Sequence, residues 1–203
     1  IGTPVLNRKN FKEKHTSGMF ISTVPFKAKV DSNSSFSEFV KSVAITQLAI
    51  FRHQKYPYSH LLEDLKKKYN FSENLYDIAL SYQNARDNKE NCDIDYSSGW
   101  LFSGKCTDTL QVHFYDMDNT GDLNIFYDYQ LDKLSEEEIN TLHERIINIV
   151  NQVLLNNEIE IKNIEIVTEN EKEFFINQFN NNVLDYSKEK SIIELFDEQV
   201  KLH

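Results

Sequence analysis

Phe51-Arg52-His53-Gln54-Lys55-Tyr56-Pro57-Tyr58 is the point at which one long helical pattern breaks and another begins. Pro57 has no amide proton and pushes Tyr56 away from helical angles, so the first helix must stop near His53 to Lys55. Upstream, Ser35 and Glu38 make a capping box, and Phe36, Phe39/Val40, Val43/Ala44 and Ile50/Phe51 keep helical spacing over about five turns. Downstream, a second helix is expected from Tyr58 to Lys68. Lys66-Lys67-Lys68 then sits where cations complement the helix dipole, which suits a solvated helix end better than a phosphate site. On local grounds the Pro57 turn reads either as a fold corner or as the wall of a reaction site.

Strand patterns lie on both sides of this corner. Ile1-Gly2-Thr3-Pro4-Val5 reads as an extended element already in progress, and with no initiator methionine the chain is expected to be a piece of a longer polypeptide. From Gly18 to Val30, Met19, Ile21, Val24, Phe26, Ala28 and Val30 alternate imperfectly with polar residues, and Pro25 places that strand at an edge or a bulge. Leu75 to Tyr82 is a strand candidate followed by a polar loop from Gln83 to about Tyr96. Trp100, the only tryptophan, forms a hydrophobic island with Leu101 and Phe102 between Gly99 and Gly104. Leu110–Tyr115 and Leu123–Tyr129 flank Asp118-Asn119-Thr120-Gly121-Asp122, a turn signal that predicts an antiparallel pair.

Ser135 and Glu138 form a second capping box, and Ile139, Leu142, Ile146, Ile149/Val150 and Val153/Leu154 give the following helix one apolar face to lay on the sheet. Ile159 to Val167 alternates like a short strand. Thr168 with Glu171 opens a helix carrying Phe174, Phe175 and Phe179, which Asn180-Asn181-Asn182 ends. Ser191 with Glu194 opens another. The fold class that follows is α/β, a mixed sheet covered by helices, with a C-terminal linker.

Composition narrows the function. The 203 residues are 40% hydrophobic, enough for one good core, and no apolar run approaches the roughly 18–20 residues of a membrane span. A formal charge of −10 repels nucleic acid and anionic lipid, so neither is an expected partner. The expected compartment is the cytoplasm. Cys92 and Cys106 have no Cys or His neighbour at metal-ligand spacing and read as free thiols, with a disulfide or metal site the lesser alternative.

Motifs for familiar chemistry are absent. There is no Gly-rich phosphate loop, no G-x-S-x-G, no H-E-x-x-H and no C-x-x-C. The six histidines are scattered. His53 and His60 bracket the proline turn, where a helix-end histidine bonding free carbonyls is the plainer reading beside a catalytic one. Glu136-Glu137-Glu138 belongs to the first turn of a helix, where negative charge is favourable, and not to a paired-carboxylate hydrolase. No metal site and no catalytic residue is assigned.

Four collinear stretches carry a resemblance. Ile1-Gly2-Thr3-Pro4-Val5-Leu6-Asn7-Arg8, Ser17-Gly18-Met19-Phe20-Ile21-Ser22-Thr23-Val24-Pro25-Phe26, His53-Gln54-Lys55-Tyr56-Pro57-Tyr58 and Asp77-Ile78-Ala79-Leu80-Ser81-Tyr82-Gln83-Asn84 resemble the second half of a nonribosomal peptide synthetase condensation domain. Leu110–His113 and Asn124–Tyr129 resemble that family's late hairpin. Val167-Thr168-Glu169-Asn170-Glu171 and Asp185 to Phe196 resemble the linker and first helix of the adenylation domain that usually follows. The resemblance implies residues 1–167 as the C-terminal lobe, 168–190 as a linker and 191–203 as the start of an adenylation domain.

The family's fold is two-lobed and related to chloramphenicol acetyltransferase. Two carrier-bound substrates meet in a tunnel between the lobes, and an amide bond forms. The hallmark H-H-x-x-x-D-G motif belongs to the first lobe and does not occur in this chain, so the chain alone is expected to be inactive. The resemblance implies an upstream lobe, an adenylation domain and peptidyl carrier proteins as partners. It implies no directly bound cofactor, the 4′-phosphopantetheine being presented by carrier domains. Gly18, Ser22, Thr23, Gln54, Tyr56, Pro57 and Trp100 are the positions it points to as tunnel or inter-lobe residues, and an apolar patch is expected on the lobe surface.

Several positions depart from the family pattern. Ser22 stands where asparagine is common, Lys27 where arginine is, Lys55 where aspartate is, and Ser72-Glu73-Asn74-Leu75 replaces the common R-N-P-L. These leave an initiating, N-acylating subtype, an epimerisation relative and a non-catalytic interaction platform open beside the elongating subtype. A free-standing small-molecule acyltransferase would need an acyl-CoA site that no residue here marks.

Overall fold

The computed structural model describes residues 1–71, 73–84, 100–116, 122–179 and 191–202. The chain divides into two units, Ile1–Ile166 and Val167–His203. The first is built on a five-stranded mixed sheet of order β2-β1-β3-β4-β5, and the strands are β1 (Gly2–Val5), β2 (Ser22–Pro25), β3 (Ile78–Gln83), β4 (Leu110–Tyr115) and β5 (Asn124–Tyr129). β2 runs antiparallel to β1, β1 and β4 run parallel to β3, and β5 runs antiparallel to β4. The helices of this unit are α1 (Phe11–Lys14), α2 (Phe36–Arg52), α3 (Tyr58–Tyr69) and α4 (Glu136–Leu155).

The antiparallel pair predicted around residues 118–122 forms over six register pairs, from Leu110↔Tyr129 to Tyr115↔Asn124. Its turn, residues 117–121, lies outside the described residues, as do Cys92, Gly99, Ser72 and most of the polar loop after Gln83. Alternation then sorts the side chains. Leu110 and Val112 point to one face and pack with Ile139 of α4, joined by Phe114, Ile125, Tyr127, Tyr129, Leu134 and Leu142. Helix α4 lies on the sheet because its apolar stripe has that patch to cover. Its start is the expected capping box, with Ser135 Oγ accepting from the Glu138 amide and Glu138 reaching back to the Ser135 amide.

Pro25 sits in the edge strand β2, where its missing donor costs no ladder bond. That strand covers only residues 22–25 of the predicted 18–30 stretch. Its approach is held instead by Arg8, whose guanidinium lies 4.0 Å over the Phe20 ring and donates from Nη2 to the Gly18 carbonyl at 2.8 Å. Gly18 takes φ +147°, which L side chains rarely adopt.

Ile159 to Val167 is not the strand its alternation suggests. Residues 161–163 form a single 3-10 turn, and Glu160 makes only an isolated bridge to Ser35. The physical reason is a competing set of partners. The free amides at the start of α2, Phe36 and Ser37, donate to the carbonyls of Ile159 and Asn157. Gln152 on α4 takes the Glu165 amide through Oε1 at 2.9 Å and donates Nε2 to its carbonyl at 2.8 Å. The segment is a strap between two helices, and α1, capped by Asn10, is a short helix that periodicity alone did not reveal.

In α2, Phe36, Phe39, Val43 and Ile50 are half-buried on one stripe, while Val40, Ile45 and Leu48 are exposed. The second unit contains α5 (Glu169–Phe174), opened by the Thr168–Glu171 capping box, and α6 (Ile192–Leu202), opened by Ser191 and Glu194. A π-helical turn, Phe175–Phe179, continues α5 and brings Phe174, Phe175 and Phe179 into mutual ring contact near 6 Å. Residues 180–190, including the tri-asparagine expected to end that helix, lie outside the described residues.

Candidate functional site

The face of the sheet turned away from α4 carries a different set of side chains. Ser81 and His113 are directly opposed in the parallel β3–β4 register, and each is more than nine-tenths buried. Ser81 Oγ lies 2.7 Å from His113 Nδ1, and His113 Nε2 lies 3.3 Å from Asp128 Oδ2 on β5. The second contact is close enough for charge attraction but too poorly aligned to satisfy Nε2 as a hydrogen bond. Burial pushes the His113 imidazole below its usual value, and the Asp128 charge works against that shift. Burial thus favours the neutral ring. Asp128 favours the tautomer with its proton on Nε2, which leaves Nδ1 to accept from the Ser81 hydroxyl.

Trp100 roofs this pair on the β4–β5 side. Its ring centroid is 4.1 Å from His113 and 6.0 Å from Phe126. On the β1–β3 side the face opens into a cavity of about 520 Å³. Pro4, Val5, Leu6, Ile21 and Ala79 give it apolar lining, and Thr23, Ser81, Gln83, Asp108, Gln111 and His113 give it hydrogen-bonding groups. Gln111 Nε2 donates to Asp108 Oδ2 at 2.8 Å. No lysine or arginine is among the described residues that line it. The arrangement suits an elongated, mostly uncharged ligand with amide or hydroxyl groups.

The seven positions named from the sequence are dispersed. Thr23 lines the cavity. Ser22, beside it on β2, has a buried Oγ with no hydrogen-bond partner among the described residues. Trp100 stands over the cavity residue His113, and its own Nε1 is likewise buried without a partner among them. Gly18 is in the loop held by Arg8. Gln54, Tyr56 and Pro57 are at the α2–α3 corner and do not line the cavity. There Gln54 Nε2 donates to the Phe51 carbonyl at 2.9 Å, Tyr56 bonds Asp64, and Pro57 is the N-cap of α3. His53 is the C-cap of α2, its backbone amide donating to the Ile50 and Phe51 carbonyls.

Lys55 is the charged tie of this corner. Its Nζ donates to the Asn7 carbonyl and to Glu13 Oε1, both at 2.9 Å. The Lys9 amide and then Lys55 hold the Glu13 carboxyl at about 2.

Tyr76, which no motif in the sequence marks, is where the four family-like stretches meet. A Cβ on Gly2 would come within 2.6 Å of its ring, so only glycine fits that point of β1. Its ring centroid is 5.3 Å from that of Tyr58, the residue after Pro57, and Tyr58 Oη accepts from the Leu75 amide at 3.0 Å. Burial raises the Tyr76 phenol, the Asp108 charge adds to the shift, and a hydrogen bond with Thr23 opposes it. The Pro57 turn is thus a fold corner that seats the start of β3, and β3 in turn supplies Ser81 to the cavity. Sequence reasoning misses Ser81, His113 and Asp128 because their only signal is a register that no one-dimensional spacing contains.

Comparison with known proteins decides the family. The condensation-domain family model matches residues 1–176. The chain belongs to the condensation-domain family. It is 36% identical over 201 residues to surfactin synthase subunit 1 of Bacillus subtilis (strain 168), covering 99% of this chain and 6% of that protein. Gramicidin S synthase 2 of Brevibacillus brevis is 26% identical over 203 residues, with 99% of this chain and 5% of that protein covered. The chain therefore spans less than a tenth of the length of these relatives. Among solved structures, a four-domain nonribosomal peptide synthetase bound to AMP and glycine matches with a TM-score of 0.71 and 16% identity over 85% of this chain and 14% of that one. The starter condensation domain of rhizomide synthetase, in complex with C8-CoA and Leu-SNAC, matches with a TM-score of 0.64 and 19% identity over 81% and 37%. These two likenesses establish the fold: a mixed sheet with helices, of the kind condensation domains share.

Proposed function

We propose that this chain is the C-terminal-lobe part of a nonribosomal peptide synthetase condensation domain, and that the cavity on the free face of its sheet is one wall of the chamber in which a carrier-bound thioester is attacked by an amine. The observation that supports this most is that the family-like stretches do not merely occur in order. They converge on Tyr76, and the stretches that include Pro4, Thr23 and Ser81 line one cavity.

The wall's work is positioning. Holding a thioester and an amine in line replaces a bimolecular encounter by an effectively unimolecular one, and the apolar lining from Pro4, Val5, Ile21 and Ala79 keeps water from competing for the thioester. Thr23, Gln83 and Gln111 offer donors and acceptors that fit the two amides of a pantetheine arm. With no lysine or arginine among the described residues that line it, the cavity does not fit the arm's phosphate, which belongs outside with the carrier protein. When bound, that arm supplies the thioester. The proton acceptor named by the family's histidine motif lies elsewhere in the domain, so the chain alone is inactive on this reading. Residues 168–190 act as a linker and 191–203 open an adenylation domain, in a synthetase of the cytoplasm with peptidyl carrier proteins as partners. Among the described residues no helix is long and apolar enough to cross a membrane.

The test is reconstitution. The chain joined to its upstream lobe should form amide product from carrier-bound acyl and aminoacyl thioesters, and the chain alone should form none. Product from the isolated chain, or none from the joined protein with carrier proteins that load normally, refutes the proposal.

A further inference from the structure

Among the described residues, Ser81 is the one buried serine that both faces the cavity and has its proton already committed. His113 Nδ1, 2.7 Å away, accepts that hydrogen bond in the tautomer with the proton on Nε2, which the Asp128 charge 3.3 Å from Nε2 favours. What Ser81 Oγ has left to offer the cavity is lone pairs. A ligand group placed against it is stabilised if it donates a hydrogen bond, and an apolar group of the same shape leaves that oxygen dry and unpaired. Trp100 covers the imidazole, its ring centroid 4.1 Å away and tilted by 33°. The same cavity carries the Asp108 carboxylate and no lining cation among the described residues, so it favours a positively charged group over an anion. An aminoacyl thioester has such a group in its free ammonium, which a simple acyl thioester lacks.

We propose that Ser81, oriented by His113 and Asp128, is a specificity-determining residue that selects an aminoacyl group whose side chain donates a hydrogen bond, a hydroxyl or an amide N–H, over its apolar isostere. This rests on the reading of the cavity as a substrate wall. It goes beyond that reading in naming the chemistry of the substrate, and it assigns a role to a buried trio that the general reaction does not require.

The isosteric pair threonine and valine isolates the hydroxyl from size. With the chain in its complete synthetase module, threonyl and valyl N-acetylcysteamine thioesters are offered as competing amine partners to a loaded donor. The expected result is a kcat/KM ratio favouring threonyl by about tenfold or more, the discrimination a site built to hydrogen-bond its substrate gives over the analogue lacking the group. In Ser81→Ala the ratio should fall to within about threefold, chiefly by loss of threonyl turnover, because the variant removes the oxygen the hydroxyl pairs with, while the His113 Nδ1 it leaves unpaired is common to both thioesters. Ser81→Thr keeps the oxygen and should keep the preference. Equal use of the two thioesters by the wild-type module overturns this inference and leaves the proposed function standing. A Ser81→Ala variant that loses both activities in parallel also overturns it, since that is what a merely structural serine would do. Absence of amide product from every aminoacyl thioester refutes the proposed function itself.

Discussion

Replacing Ser81 by alanine tests the buried trio without reference to any substrate. The variant removes a 2.7 Å hydrogen bond between two groups that are each more than nine-tenths buried. A neutral hydrogen bond contributes about 1 kcal/mol net, and an orphaned buried acceptor costs about 1–3 kcal/mol. His113 Nδ1 would be that orphan. Because both residues border a cavity of about 520 Å³, water can reach the vacated position, which holds the expected loss to the lower half of the range, about 1–1.5 kcal/mol. His113→Phe keeps a ring under Trp100 but strands the Ser81 proton, and in the double variant neither partner is left waiting. The cycle of the two substitutions should therefore return a coupling energy of about 1 kcal/mol. Urea unfolding followed by the fluorescence of Trp100, the only tryptophan and itself 4.1 Å from His113, reads all four proteins. Additive losses, with a coupling below about 0.3 kcal/mol, would show that the hydroxyl and the imidazole do not hold one another.

Three further outcomes are expected. Burial lowers His113 in the folded chain, so below the ordinary histidine value of about 6.5 the unfolded chain binds more protons; stability is fully present above that pH and falls as pH drops through the folded value. His113→Phe should flatten that part of a stability-versus-pH curve measured by urea midpoint, and an unchanged slope would exclude the assignment. Ile139→Ala removes the α4 side chain that meets Leu110 and Val112, at an expected loss of about 3 kcal/mol, whereas Ile147→Ala on the exposed side of the same helix should cost under about 1 kcal/mol. Similar losses from the two, by the same titration, would mean α4 does not pack as described. Ser135→Ala breaks the capping box of α4 and should lower stability by about 1 kcal/mol, with Ser135→Asp restoring most of it.

How much of this was legible in the sequence depends on the range of the interactions involved. Capping boxes at Ser35, Ser135 and Thr168, the proline break and the hairpin strands are set within a few residues, and each occurs where its residues predict it. Pro25 announced an edge strand because a missing donor is tolerated only there. The stretch from Ile159 to Val167 misled because alternation describes which side chains are apolar and says nothing of which backbone partners are nearer. The start of α2 and Gln152 were nearer.

The site divides along the same line. Sequence by itself determined the capped helices, the proline break, the hairpin strands and the family, since these rest on local propensity and on ordered short motifs. Only the tertiary structure decided that Gly2, Thr23 and Tyr58 close on Tyr76, or that Ser81, His113 and Asp128 stand side by side across three strands. Strand register is a global solution, in which the burial of Leu110 and Val112 against α4 forces Ser81 and His113 to the opposite face. The Pro57 turn could be read two ways in one dimension; in three it is a corner at which Tyr58 packs on Tyr76, just ahead of β3.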